Sequence, residues 1–254
     1  MRAAIDASVE NGQVNALEHG VIEITTTFSI GAGIAEIRQH IAEVVATCAQ
    51  ASVVQGQGDT LVLDFGPANA PCNYQGRNYA GKVELSVQRT AERISVRHEY
   101  LDLTNGTVTI NGVKTVDWSE SASGEVVRHV VSTIGWDGPR GHVDHRSERT
   151  LTFHEWHGGP TQTLRIDGES DWQRGDDAWH MAMDQVEFRL IDPVPQAGSV
   201  TLINPADKEA TLTFVRLDEN TIEVQMSGGR RGDRTFHVTS AGTVSEANSS
   251  ATPP

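Results

Sequence analysis

Between about Gly81 and Val238, apolar and polar residues alternate one for one along much of the chain. Lys82-Val83-Glu84-Leu85-Ser86-Val87-Gln88 is the clearest instance. Val83, Leu85 and Val87 face one way and their polar neighbours the other, the period of a strand buried on one side. The period returns in Ile94/Val96/His98/Tyr100, in Ala178/His180/Ala182/Asp184/Val186/Phe188/Leu190, in Leu212/Phe214 and in Ile222/Val224/Met226. One-sided burial belongs to antiparallel sheets, because parallel ones are covered on both faces and read as continuous apolar runs. The pattern predicts strands near 52–55, 60–65, 80–89, 93–103, 107–118, 124–136, 146–157, 161–172, 177–191, 199–204, 209–217, 220–227 and 234–240. Asn105-Gly106, Asn111-Gly112, Asp167-Gly168, Gly158-Gly159-Pro160, Asp218-Glu219-Asn220 and Gly228-Gly229 supply turn chemistry between them.

One stretch has a different period. Ile34, Ile37, Ile41, Val44, Val45 and Cys48 recur at spacings of three and four, one stripe of a helix over about 31–49 that needs a sheet to cover it. Val21-Ile22-Glu23-Ile24-Thr25-Thr26-Thr27-Phe28 is β-branched and reads as a strand or as an irregular lead into that helix. Residues 1–16 read as a flexible N-terminus and 245–254 as a loose tail, which leaves 17–244 as one β-rich domain. The expected fold is mainly β: a long antiparallel meander, sandwich-like or a half-open barrel, with one N-terminal amphipathic helix packed on the sheet. A two-lobed arrangement split near Gly138 to Gly141 is the alternative. Ile110-Asn111-Gly112 before Asp117-Trp118 is echoed by Ile166-Asp167-Gly168 before Asp171-Trp172. Duplication explains the echo, and so does the reuse of turn residues by unrelated hairpins.

With 24 Gly and 9 Pro among 254 residues, composition favours many short strands and turns over a helical bundle. A net charge of −14 with no basic cluster argues against nucleic acid or an anionic membrane as partner. No apolar run approaches the length of a membrane span, and the start shows no secretory pattern; a lipid anchor would need an upstream signal already removed. Cys48 and Cys72 are close enough in sequence for a loop-closing disulfide, and two buried thiols are the alternative. A bridge implies an oxidising compartment.

For chemistry, histidine is the leading candidate. His142/His145 and His154/His157 have the spacing at which a helix brings two imidazoles to one zinc ion, with Asp137 and Asp144 as further ligands, whereas on a strand residues three apart diverge. His142 to His145 read as a loop, and solvated strand-end histidines are the ordinary alternative. His98 and His180 occupy apolar phases and read as core histidines. Trp136, Trp156, Trp172 and Trp179 would form a stacking platform for a glycan, or an interface patch, if exposed on one face. No G-x-S-x-G, H-E-x-x-H, phosphate-cradling loop or CxxC occurs, so no catalytic residue is assigned and no cofactor is expected beyond that zinc.

Leu61-Val62-Leu63-Asp64-Phe65-Gly66, then Cys72, Gly76-Arg77, Gly81-Lys82-Val83, Ile110-Asn111-Gly112 and later Asp192-Pro193-Val194-Pro195 resemble a pattern of uncharacterised bacterial putative lipoproteins and secreted β-rich cell-envelope proteins. That group carries no established activity, so the resemblance implies location and fold: periplasm, outer-membrane-associated or extracellular. The function expected is a non-enzymatic envelope or secreted protein that binds an unidentified protein or glycan through a sheet face or loops. The alternative is a metal-binding or metal-dependent hydrolase-like protein built on the histidines.

Overall fold

A computed structural model describes residues 13–14, 16–18, 20–22, 24–25, 34–56, 58–90, 93–155, 162–189, 192–228 and 232–247, with backbone alone at 154, 155 and 162. Among the described residues, helix α1 (Ile34–Val44) is followed by fifteen strands: β1 (Ser52–Gln55), β2 (Thr60–Asp64), β3 (Cys72–Tyr74), β4 (Arg77–Arg89), β5 (Arg93–Thr104), β6 (Thr109–Glu120), β7 (Val126–Gly138), β8 (Gly141–Glu155), β9 (Gln162–Arg174), β10 (Asp177–Arg189), β11 (Ala197–Ile203), β12 (Glu209–Arg216), β13 (Thr221–Ser227), β14 (Arg234–Thr239) and β15 (Val244–Glu246). Successive strands are neighbours, except that β3 pairs only with β4, off the path from β2 to β4; the sheet is antiparallel throughout its described pairings and does not close. The expected meander is thus the observed one. Short turns between one-sided strands leave adjacent antiparallel pairing as the easiest connection.

The chain forms two compact units, Met1–Asp117 with Val131–His145 and Trp118–Val130 with Arg146–Pro254. The division runs through β6, β7 and β8, and the expected split point near Gly138 to Gly141 lies inside the first unit.

In the first unit the core is built by α1 and by helical residues earlier in the chain. The described positions between 13 and 25 are helical, and Val14, Leu17, Val21 and Ile24 are almost fully buried. At 21, 22, 24 and 25 their spacing of three and four outweighs the β-branched character that favoured a strand or an irregular lead; residues 23 and 26–28 lie outside the described ones. Position 14, expected in a featureless terminus, belongs to the core. α1 buries Ile37 and Ile41, and Val45 and Cys48 continue the stripe past its last turn. They join Leu61, Leu63, Phe65, Val83, Leu85, Val96, Tyr100 and Ile110 from the sheet. Cys48 and Cys72 form a disulfide across 24 positions with their Cα atoms 5.1 Å apart, fastening the chain after α1 to β3.

Asn111-Gly112 and Asp167-Gly168 are not turns; both lie inside strands, β6 and β9. Each faces a bulge in a neighbouring strand. Asp102, at φ 51°, bulges β5 against Asn111, and Gln185, at φ 47°, bulges β10 against Asp167. Gly112 (φ 124°) and Gly168 (φ 143°) let the backbone of the strand on the other side approach to where a Cβ would stand: residues 133–134 for Gly112, residues 148–149 for Gly168. β8 begins at Gly141, so His142 to His145 are strand rather than loop. β3 and β15 were not foreseen, and Ser245 and Glu246, expected in a loose tail, pair with β14.

Candidate functional site

In the second unit, cross-strand registers sort the side chains of β9 to β15 into two faces, because residues directly opposite in an antiparallel pair point the same way. One series runs Met181, Leu202, Ala210; the next Met183, Val200, Leu212, Met226, Arg234; a third Phe214, Val224, Phe236. Trp172 and Trp179 stand opposite each other on this same side. It is apolar, and from β10 to β14 much of it is half-exposed, with Leu202 42% exposed. The other face carries Asp171 with His180 (2.8 Å), Thr201 with Thr211 (3.0 Å) and Glu223 with His237 (3.3 Å).

One end of the apolar face is buried. There Val186, Phe214, Ile222 and Val238 are buried. Arg216, in register with Ile222 and so on this face, reaches the buried Asp192. Arg189 grips the same carboxylate through Nε and Nη2, both at 2.8 Å, and Arg216 Nε donates to Gln196 Oε1 at 2.9 Å. This grip holds the Asp192–Gln196 connection on the sheet and keeps the Asp192 carboxyl below its ordinary range, through the Arg189 hydrogen bond and then the charge of Arg216, against the cost of burial. At the opposite end Trp179 and Met181 are half-buried and Leu202 is exposed.

His142 and His145 lie three apart on β8 and diverge: His142 is exposed at the β7–β8 hairpin, while His145 is buried with its ring 5.8 Å from that of Trp136. Strand period forbids their convergence on one metal. Both ring nitrogens of His142 face carboxylates, Nδ1 to Asp137 at 3.0 Å and Nε2 to Asp144 at 3.4 Å. The hydrogen bond to Asp137 is the main cause that raises its pKa above the ordinary value. Among the described residues no group of three or more His, Cys, Asp or Glu is arranged to hold a metal ion. The His154 side chain, His157 and Trp156 lie outside the described residues.

Trp136 is 2% exposed and belongs to the core of the first unit, so its ring offers no open stacking surface beside Trp172 and Trp179. Trp118, stacked on Phe153 at 6.1 Å with the Arg128 guanidinium 5.0 Å from its centroid, packs within the second unit. His98 is a core residue as expected, fully buried with Nε2 2.9 Å from the Thr25 hydroxyl. His180 is not. The bulge at Gln185 shifts the register between Met183 and Val186, so the side that carries Val186 and Phe188 carries Met181 and Met183 before it. Ala178, His180 and Ala182 therefore face the polar side.

One buried cluster was not anticipated. Lys114 Nζ donates to Glu18 Oε1 at 2.9 Å, with both side chains under 10% exposed, and Ser132 and His145 are buried in the same unit. A signal existed: Lys114, one of three lysines, occupies the apolar phase of β6 between Ile110 and Val116. Together with Thr25–His98 and the Arg77 Nη1 contact to the Ala16 carbonyl it fastens the helical residues to the sheet by polar contacts, which specify position more than they add stability.

Set beside known proteins, the chain matches no family model, no curated protein and no solved structure.

Proposed function

We propose that this is a non-enzymatic binding protein of the cell envelope or the extracellular space, which engages its partner through the open apolar face of the second unit. The observation that carries the reading is the half-exposure of apolar side chains from neighbouring strands on one side of β10 to β14. Soluble surfaces rarely leave so many contiguous apolar residues wet unless something binds there. Met181, Met183 and Met226 are unbranched and adapt to the shape of a partner, while Trp172 and Trp179 add large rigid rings on the same side. The Cys48–Cys72 disulfide supports an oxidising compartment, where such bridges persist. Among the described residues no helix is long and apolar enough to cross a membrane.

The test is uptake of an apolar environment-sensitive dye by the purified chain, compared with Leu202→Glu. Uptake that falls in the variant while the melting temperature holds supports the reading. Undiminished uptake in the variant, or none in the parent under any buffer, removes it.

A further inference from the structure

We propose that the partner seated on this face is a second copy of the same chain; the proposal rests on the apolar face being the binding surface and names its occupant. A chain carrying −14 repels its own copies wherever acidic groups meet. In the second unit Glu169, Asp171, Asp184, Glu187, Glu209 and Glu223 take the side opposite Met181, Leu202 and Phe214, while Asp177 and Glu246 stand at the margin of the apolar side.

Charges at the margin of the apolar side come as opposite pairs. Arg174 stands in register with Asp177 at one margin, and Arg234 lies 3.6 Å from Glu246 at the other. A surface with balanced margins and an apolar middle is self-complementary under a two-fold axis, since each arginine of one copy can meet a carboxylate of the other. It is the side of this unit on which two copies meet with least repulsion. The methionines accommodate the match, since flexible unbranched side chains repack against their own images.

The experiment is sedimentation velocity and light scattering on the full chain over a wide concentration range, with Leu202→Glu, Met226→Glu and Val215→Glu. Val215 is 42% exposed on the opposite face and serves as the control. The parent and Val215→Glu are expected at twice 27.5 kDa at the upper concentrations, and the other two variants at 27.5 kDa with unchanged melting. Added salt is expected to tighten the parent dimer, because it screens the net repulsion while leaving apolar contact intact. A parent that stays at 27.5 kDa throughout, or a dimer that survives both Leu202→Glu and Met226→Glu, overturns the proposal. A monomeric parent that still takes up dye at this face sinks the second copy alone, whereas a monomeric parent without uptake sinks the binding face as well.

Discussion

Asn111 of β6 reads both ends of Asp102 in β5: its Oδ1 accepts from the Asp102 backbone N–H at 2.8 Å, and its Nδ2 donates to the Asp102 carboxylate at 3.1 Å. In the second unit Asp167 does half of this, accepting from the Gln185 N–H at 2.8 Å. The two devices differ in chain order. The bulge served by Asn111 precedes it in the chain, and the bulge served by Asp167 follows it. A direct duplication would keep that order, so the Asn-Gly and Asp-Gly echo is the same solution reached for two bulges.

The asymmetry between them is testable. Asn111→Asp replaces a donor by a carboxylate facing Asp102 and is expected to cost about 1–2 kcal/mol. Asp167→Asn keeps an acceptor for Gln185 and is expected to fall within about 0.5 kcal/mol of the parent. Urea unfolding of both variants decides it, and equal losses would contradict the geometry.

Lys114→Met strands the Glu18 carboxylate in the core and is expected to destabilise by about 3–5 kcal/mol. Adding Glu18→Leu removes the stranded charge and is expected to recover most of that loss. A double variant no more stable than the single one, by thermal melting, would show that the pair contributes more than position.

Closing the loop between Cys48 and Cys72 restrains the unfolded chain by about 3 kcal/mol. Cys48→Ser with Cys72→Ser, unfolded beside the oxidised parent, is expected to lose that amount. Adding reductant should bring the parent to the same midpoint and leave the variant where it was.

Two groups give pH dependence of opposite sign. His142 has its pKa raised by Asp137, so its contribution to stability is complete below its unfolded pKa and is lost as pH rises through the folded one. Asp192 has its pKa lowered by Arg189 and Arg216, so its contribution is present above its unfolded pKa and is lost as pH falls through the folded one. His142→Gln should flatten the near-neutral limb of a stability profile and Asp192→Asn the acidic limb. Proton titration of the His142 ring by nuclear magnetic resonance checks the first directly, and a midpoint below the ordinary histidine value would reverse its sign.

Much of the architecture was legible in the chain because it rests on local period. Val83/Leu85/Val87 and Ile222/Val224/Met226 can bury only one side, and short turns leave adjacent antiparallel pairing as the natural outcome. The disulfide was also readable, from two cysteines bracketing a loop. Tertiary structure decided what period cannot encode. A single bulge residue, Gln185, exchanges the faces of everything before it on β10, sending His180 outward and Met181 and Met183 to the apolar side, and no local signal marks where a strand will bulge. Helical contacts drew Val21 and Ile24 away from the extended state their side chains prefer, because burying one stripe against the core outweighs a small intrinsic preference. Which apolar face stays open depends on what the rest of the chain lays over it, so the candidate surface of Met181, Leu202 and Met226 emerges only when non-adjacent strands are placed side by side.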